Sequence, residues 1–425
     1  MFESSEHVCA GRGTMTSELR ATDTDPDAAQ ADSSLAATRG RWPFRGAAYS
    51  MLILFTATNV PTPLYHGYAQ RFGFSSLMLT VVFAVYVAAL IPSLLITGPA
   101  SDALGRRRIL LPALAVAALG TLGFALSTDV VWLLAARILQ GLALGAASGA
   151  LTAALAQLEP SGDRRRASLV AGVASAGGMA LGPLLGAVVA QYLPHPYVTP
   201  FAVVLVLLIP AAVAIAALPV TGVRGRWRPR RPSIPAGMGG IFATAGTATF
   251  LGFAVVGVFL TLVPTYAATL SGSANLVIGS GAAALLPIGW AVAQLLAYRK
   301  PERPLEVTGL PLLAIGLVLL AIAGTVSSLP LLLGATVLAG AGHGLVFLSG
   351  LTAINAAAPA DRHADVVSTY YVMGYCGTGG PVIGVGLLTG VTGLLTAVQV
   401  FAGVVAAACL VVLAVRIRLG AARKR

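Results

Sequence analysis

Long, almost uninterrupted apolar runs dominate the chain, near residues 46–68, 76–97, 109–127, 130–157, 167–192 and 197–217, and again near 239–267, 274–297, 307–326, 329–357, 366–389 and 393–415. Each is long enough for a helix to cross the roughly 30 Å apolar core of a bilayer, which takes about 20 residues. Spanning strands would show instead about ten residues of alternation, so a barrel is excluded. The short polar breaks predict twelve helices in an all-α membrane protein. Between the sixth and seventh runs lies a basic stretch interrupted by prolines, Thr221 to Pro232. It divides the chain into a polar tail (1–44, expected to be disordered and cytoplasmic), a six-helix bundle (46–217), a linker (218–238), a second bundle (239–415) and a basic tail (416–425). The N-terminal tail lacks the apolar stretch of a signal peptide, so the first spanning helix is expected to direct insertion.

Composition agrees with the pattern. Hydrophobic residues make up 57% and charged residues 10%, with a mean hydropathy of +0.85, whereas soluble domains are about 25% charged. The net charge of +12 would suit nucleic acid only if it formed a soluble basic patch. The cations are instead strung through the breaks between apolar runs, so no nucleic-acid partner is expected. Cytoplasmic loops of membrane proteins collect Lys and Arg. With both termini inside, 25 of the 27 basic residues fall on the cytoplasmic side, Arg71 falls outside and Arg137 lies at membrane depth. One missed span would invert every later loop, so this asymmetry supports an even count of twelve. Cys9, Cys376 and Cys409 have neither metal-ligand nor redox spacing, and no metal or cofactor is expected.

The second half repeats the first. Gly141, Gly145 and Pro160 recur 199 residues on as Gly340, Gly344 and Pro359. Gly182-Pro183 and Gly186 recur 198 residues on as Gly380-Pro381 and Gly384, and Val60-Pro61-Thr62 recurs as Val263-Pro264-Thr265. Two related six-helix halves place a substrate site between them, near the bilayer midplane.

Three segments carry a family resemblance. The second inside loop holds Gly98, Asp102, Gly105, Arg106 and Arg107 in the order G-x-x-x-D-x-x-G-R-R. Its glycines permit a tight turn, and its carboxylate can meet a helix N-terminus or an arginine across the half interface. The fourth run carries Arg137-Ile138-Leu139-Gln140-Gly141, and the fifth carries Gly178, Gly182, Pro183 and Gly186 in a G-x-x-x-G-P-x-x-G pattern. Together they resemble the major facilitator superfamily, specifically its twelve-helix drug:proton antiporters. The resemblance covers about 46–415 and implies that family's fold, with two pseudo-symmetric six-helix bundles. It implies that the loop is a latch stabilising the outward-facing state, that Arg137 takes part in proton coupling, and that the fifth helix seals the cavity in a way associated with export. It also implies a functional monomer. The loop of the second half, Arg299 to Glu306, lacks the latch pattern.

No acidic residue falls at mid-membrane, and only a fixed negative charge repays the desolvation of a lipophilic cation. Neutral or anionic amphiphiles are therefore the expected substrates. Histidine can carry a proton near neutral pH, which makes His66 and His343 coupling candidates beside Arg137. Asn59, Tyr65, Gln140, Tyr266, Gln294, Tyr371 and Tyr375 supply polar groups and aromatic faces for a cavity, although interhelical hydrogen bonding would use the same residues. The expectation is an exporter of small amphiphiles in a bacterial inner membrane, exchanging them for protons as the resemblance implies; with no P-loop motif present, an ion gradient is the expected energy source. Its rivals are a metabolite importer of the same fold and a membrane-embedded enzyme. The enzyme would need clustered catalytic residues, which the sequence lacks.

Overall fold

The computed structural model describes residues 41–218, 234–235, 237–359 and 362–422. The expected tail before Arg41, most of the basic linker, Asp361 and the last three residues lie outside the described residues. The described chain is helical without strands. Its long helices are α1 (Arg41–Asn59), α2 (Ser76–Leu104), α3 (Arg106–Ala125), α4 (Val130–Leu158), α5 (Arg164–Tyr192) and α6 (Thr199–Ala216), then α7 (Gly239–Ser271), α8 (Leu276–Ala297), α9 (Glu302–Thr325), α10 (Leu329–Ala357), α11 (His363–Thr392) and α12 (Leu394–Ala422). Among the described residues, eleven helices are long and apolar enough to cross a membrane. The remaining long helix, α1, carries Arg41 and Arg45 in its first turns and stops at Asn59.

Three boundaries differ from expectation, each for a local reason. The run at 46–68 is not one helix. Pro61 and Pro63 cannot donate backbone hydrogen bonds, so α1 stops at Asn59 and resumes, after the tight turn Thr62–Leu64, as a short outer helix, Tyr65–Phe72. At its other end α1 starts at Arg41, inside the segment expected to be disordered, because Phe44 finds a buried site under the Arg166 guanidinium. The last helix runs through Ala422, seven residues into the expected tail, since no Gly-Pro breaker interrupts it.

Within each half the helices pack in matching pairs. α4 lies against α2 and α3 as α10 lies against α8 and α9, and α1 meets α5 as α7 meets α11. In lipid, apolar surface does not drive helices together, so close backbone approach through small residues must do so. A β-carbon at Gly141 or Gly145 would run into the Tyr86 or Leu90 carbonyl of α2, and one at Gly340 or Gly344 into the Leu286 or Trp290 carbonyl of α8. The recurring glycines thus make the same contact in both halves. The halves meet chiefly through α2 with α11 and α5 with α8, and also through α4 with α11 and α5 with α10.

Candidate functional site

A cavity opens between the halves at the end opposite the basic loops. Its outer vestibule has a volume of about 1210 Å³ and runs from the short outer helix after α1 to the outer ends of α7, α8 and α11. A narrower extension of about 80 Å³ continues inward among Phe55, Asn59, Tyr86, Arg137, Phe253 and Tyr375. The two share Thr62, Phe83, Leu260, Thr261 and Val382 in their walls. The vestibule is roomy enough for a drug-sized molecule, for which about 300–1,000 Å³ is usual. The extension holds only several waters or a small polar group. No acidic side chain among the described residues lines either part.

Arg137 forms one side of the extension, and it does not reach for the outer interface: only 2% of it is exposed. The break in α1 explains its partners. In an intact helix the Ala57 carbonyl would accept from the residue four positions on, but that residue is Pro61. Gln140 Nε2 donates to the Ala57 oxygen instead, at 3.1 Å. Arg137 Nη1 donates to the Thr58 oxygen at 2.9 Å and to Gln140 Oε1 at 2.8 Å. The guanidinium also lies 5.0 Å from the Tyr65 ring, 5.2 Å from Tyr86, 5.4 Å from Phe83 and 5.7 Å from Phe124. A desolvated cation over an aromatic face gains about 2 kcal/mol, so four rings and two oxygens, one of them backbone, hold this charge in place of a carboxylate.

The other candidates separate. Asn59 and Tyr375 line the extension, and Tyr65 and His66 line the vestibule, with exposed His66 paired to Gln70 at the rim. Gln140 lies behind Arg137. Tyr266, Gln294 and Tyr371 were expected in the cavity but line neither part. The Tyr266 hydroxyl packs toward Gly324 of α9. Gln294 donates to the Gly344 oxygen at 3.2 Å and fills the space over Gly172 of α5, and the Tyr371 hydroxyl pairs with Thr152 at 3.1 Å. The last two residues join the halves below the cavity. His343 is fully buried in a box formed by Phe253, Trp290 and Phe347, with neither ring nitrogen hydrogen-bonded. It does not reach the cavity wall.

The basic-loop end is closed by cross-half contacts. Gly105 takes a φ of 91°, open to glycine alone at little cost, and turns the chain from α2 into α3. This turn presents Asp102, which accepts from the Asp365 amide in the first turn of α11 at 3.3 Å and lies 3.9 Å from Arg106. Arg106 also bonds Gln157 of α4 at 2.8 Å, while Arg107 is half-buried in the first turn of α3. A second closure involves residues the sequence reasoning missed. Asp163 caps α5 through the amides of Arg165 and Arg166 and accepts from the Tyr298 hydroxyl at the end of α8, at 2.8 Å. Arg164 bonds the Asn355 oxygen of α10 at 2.9 Å, and Asn355 Nδ2 returns to Ser168 at 2.8 Å. Burial alone would raise the Asp163 carboxyl, but the Tyr298 hydroxyl and the two amides outweigh it and hold the group below its ordinary value. His363, at the start of α11, is pushed down to about 4 by burial first and then by Arg106 and Arg164.

Two helical halves, a central cavity open at one end and an interlocked opposite end are the architecture on which secondary transporters with a midplane site are built. A sequence profile of the Major Facilitator Superfamily matches residues 47–379, and the chain belongs to that family of multi-pass membrane transporters. The chain is 33% identical over 226 residues to a triacylglyceride transporter of Mycobacteroides abscessus, covering 53% of this chain and 42% of that protein. Over 104 residues it is 34% identical to the 3-(3-hydroxy-phenyl)propionate transporter of Escherichia coli, covering 24% and 25%. It is 42% identical over 84 residues to a D-xylose transporter of Levilactobacillus brevis, covering 20% and 18%. The matches thus span less than half the length of each of these relatives. The crystal structure of the human organic anion transporter MFSD10 (TETRAN) has the same fold, with a TM-score of 0.72 at 18% identity over 88% of this chain and 99% of that one.

Proposed function

We propose that the protein exports small amphiphilic molecules across a bacterial inner membrane in exchange for protons, acting as a monomer with both termini in the cytoplasm. The observation that carries this reading is the pairing of a largely apolar cavity at one end with the interlocked basic loops at the other. With those loops cytoplasmic, as the 25 to 1 distribution of cations favours, the cavity faces outward and Asp102 holds the inner end shut against α11. Residues 46–217 and 239–415 rock against one another, and the glycine face of α5 keeps α1 in register during the movement. Arg137, His343 and His66 are the groups for proton coupling. Arg137 adjoins the substrate space, and His343 would have to gain access when its aromatic box opens.

A second reading keeps the fold and reverses the flow, uptake of a metabolite; two relatives are named as transporters of D-xylose and of 3-(3-hydroxy-phenyl)propionate. The two readings are separated by measuring accumulation of amphiphilic dyes and antibiotics in cells expressing the wild type, Asp102→Asn or Arg137→Ala, with and without a protonophore. Export lowers accumulation by about threefold or more, and the protonophore or either variant abolishes the difference. Higher accumulation of any compound in wild-type cells than in empty-vector cells, abolished by the protonophore, would overturn export in favour of uptake.

A further inference from the structure

The unusual feature of the cavity is a buried cation with no carboxylate to answer it. Arg137 forms no ion pair among the described residues, its Nε is buried without a hydrogen-bond partner, and its neighbours are one backbone oxygen, the Gln140 amide and four rings. The nearest end of its helix does carry an acid, Asp129, but that carboxylate caps the α4 amides of Val131 and Trp132. Charges in a low-dielectric pocket interact far more strongly than in water. The uncompensated guanidinium therefore sets a positive potential over the inner extension, in a cavity whose other walls are apolar or neutral.

We infer that the substrates are anionic amphiphiles, with a carboxylate or sulfonate in the extension beside Arg137 and an apolar body in the vestibule. This rests on the transport reading above and narrows its substrate class. The dimensions agree with a molecule of two unequal parts. The extension, about 80 Å³, takes a small polar head, while the vestibule, about 1210 Å³, takes the body. Phe83, Leu260 and Val382, common to both walls, grip the junction. Asn59, in the wall around the head, donates one Nδ2 hydrogen to the Phe55 oxygen and keeps its second for an anion, while the Thr58 and Thr378 hydroxyls beside it already donate to the Leu54 and Phe253 oxygens. A cationic amphiphile meets Arg137 with no acid to offset it, so the same geometry excludes it.

The test uses three ligands of one shape, 2-naphthoate, 2-naphthamide and 2-naphthylmethylammonium, titrated at neutral pH by calorimetry into the full-length protein in nanodiscs, with empty nanodiscs subtracted. Wild type is expected to bind naphthoate at least about tenfold tighter than naphthamide, equivalent to about 1.4 kcal/mol, and the ammonium weakest. Arg137→Lys keeps part of the preference, and Arg137→Gln brings naphthoate down to the level of the amide. Should Arg137→Gln fail to fold, Gln140→Glu provides the same test, because it sets a carboxylate where Oε1 now accepts from Arg137 at 2.8 Å and supplies the counter-charge internally. Equal or tighter binding of the amide or the ammonium by wild type overturns the proposal, as does a preference for naphthoate that survives in a folded Arg137→Gln or Gln140→Glu protein. The same ligands in flux assays separate the two claims. Proton-driven export without charge preference refutes the anion site alone, and charge-selective binding without proton-dependent export refutes the export reading alone.

Discussion

Helices α5 and α11 carry the same glycine-proline pattern 198 residues apart, and the structure uses the two copies differently. In α5 a β-carbon at Gly182 would stand 2.7 Å from Asn59 Cβ and 2.8 Å from the Thr56 oxygen, and Gly178 and Gly186 would run into the Leu52 and Val60 carbonyls. The whole stripe is occupied by α1. In α11 the glycines toward the basic-loop end, Gly374 and Gly377, are pressed against α7, at the Phe253 ring and the Phe250 carbonyl, while β-carbons at Gly380 and Gly384 would have no neighbour within 4 Å. The outer part of α11 lines the vestibule instead. A sequence repeat therefore preserves the capacity for close approach, and the state of the cavity decides whether it is used. The closures at the opposite end differ too: α2 offers a carboxylate to the start of α11, whereas α8 offers a hydroxyl to a carboxylate at the start of α5.

The largest effect should come from filling the two stripes. Gly182→Leu forces side-chain atoms into α1, an overpacking of about 1–3 kcal/mol or more, and is expected to lower the thermal unfolding temperature by several degrees and abolish transport. Gly380→Leu points into open space, and stability should change by less than about 0.5 kcal/mol. Fluorescence-detected size exclusion after heating both variants gives the comparison, and equal losses would break it.

Acidification provides the next contrast, because only the α11 closure contains a histidine. Where the end is sealed, His363 is held at about 4 against its ordinary 6.5. The sealed state thus binds fewer protons than a solvated one between these values. Its contribution is fully present above about 6.5 and is lost as pH falls toward 4. Asp163 acts in the same direction at lower pH, since a carboxyl held below its ordinary value stabilises the sealed end until it is protonated. Ser368 of α11 is buried against Gly149 of α4, and a cysteine there, in a background without the native cysteines, should react with a thiol reagent about three- to tenfold faster at pH 5.5 than at 7.5, after correction for thiolate fraction. His363→Asn should flatten that dependence. A profile unchanged by His363→Asn would remove the histidine from the closure.

The fold was legible because its signals repeat: apolar runs of spanning length, basic breaks on alternate sides, and glycines at one offset. The site was legible only where chemistry is scarce. One arginine among twelve apolar runs must have partners, and Arg137 has them. Which face of an all-apolar helix meets the cavity was not legible, because no polar stripe marks it. Tyr266 is the result, a tyrosine on a cavity-lining helix whose hydroxyl points elsewhere. Nor could local pattern reveal that Gln140 replaces the donor lost at Pro61, since the two residues meet only in the folded bundle. Asp163 and Tyr298, 135 residues apart, were hidden for the same reason. The repeat held a clue nonetheless: Asp163 and Asp365 lie 202 residues apart, each at the start of the helix that receives a closure.

That clue leads to the smallest effect. If the two closures are equivalent devices, removing either should release the inner end alike; if the carboxylate of α2 dominates, removing the hydroxyl of α8 should matter less. Asp102 lies at a helix N-terminus and beside Arg106, an arrangement worth about 0.3–1 kcal/mol and up to about 2 when partly buried. Tyr298 donates one hydrogen bond to a carboxylate that already accepts two amides, so its loss leaves Asp163 anchored and costs about 0.5–1.5 kcal/mol. In the Ser368 labelling assay at pH 7.5, Tyr298→Phe should raise the rate by about two- to fivefold and Asp102→Asn by more. The double variant should add their effects, because the two hydrogen bonds removed share no partner. A larger effect from Tyr298→Phe would reverse the ranking, and a double variant no faster than either single one would mean that breaking one closure already opens the other.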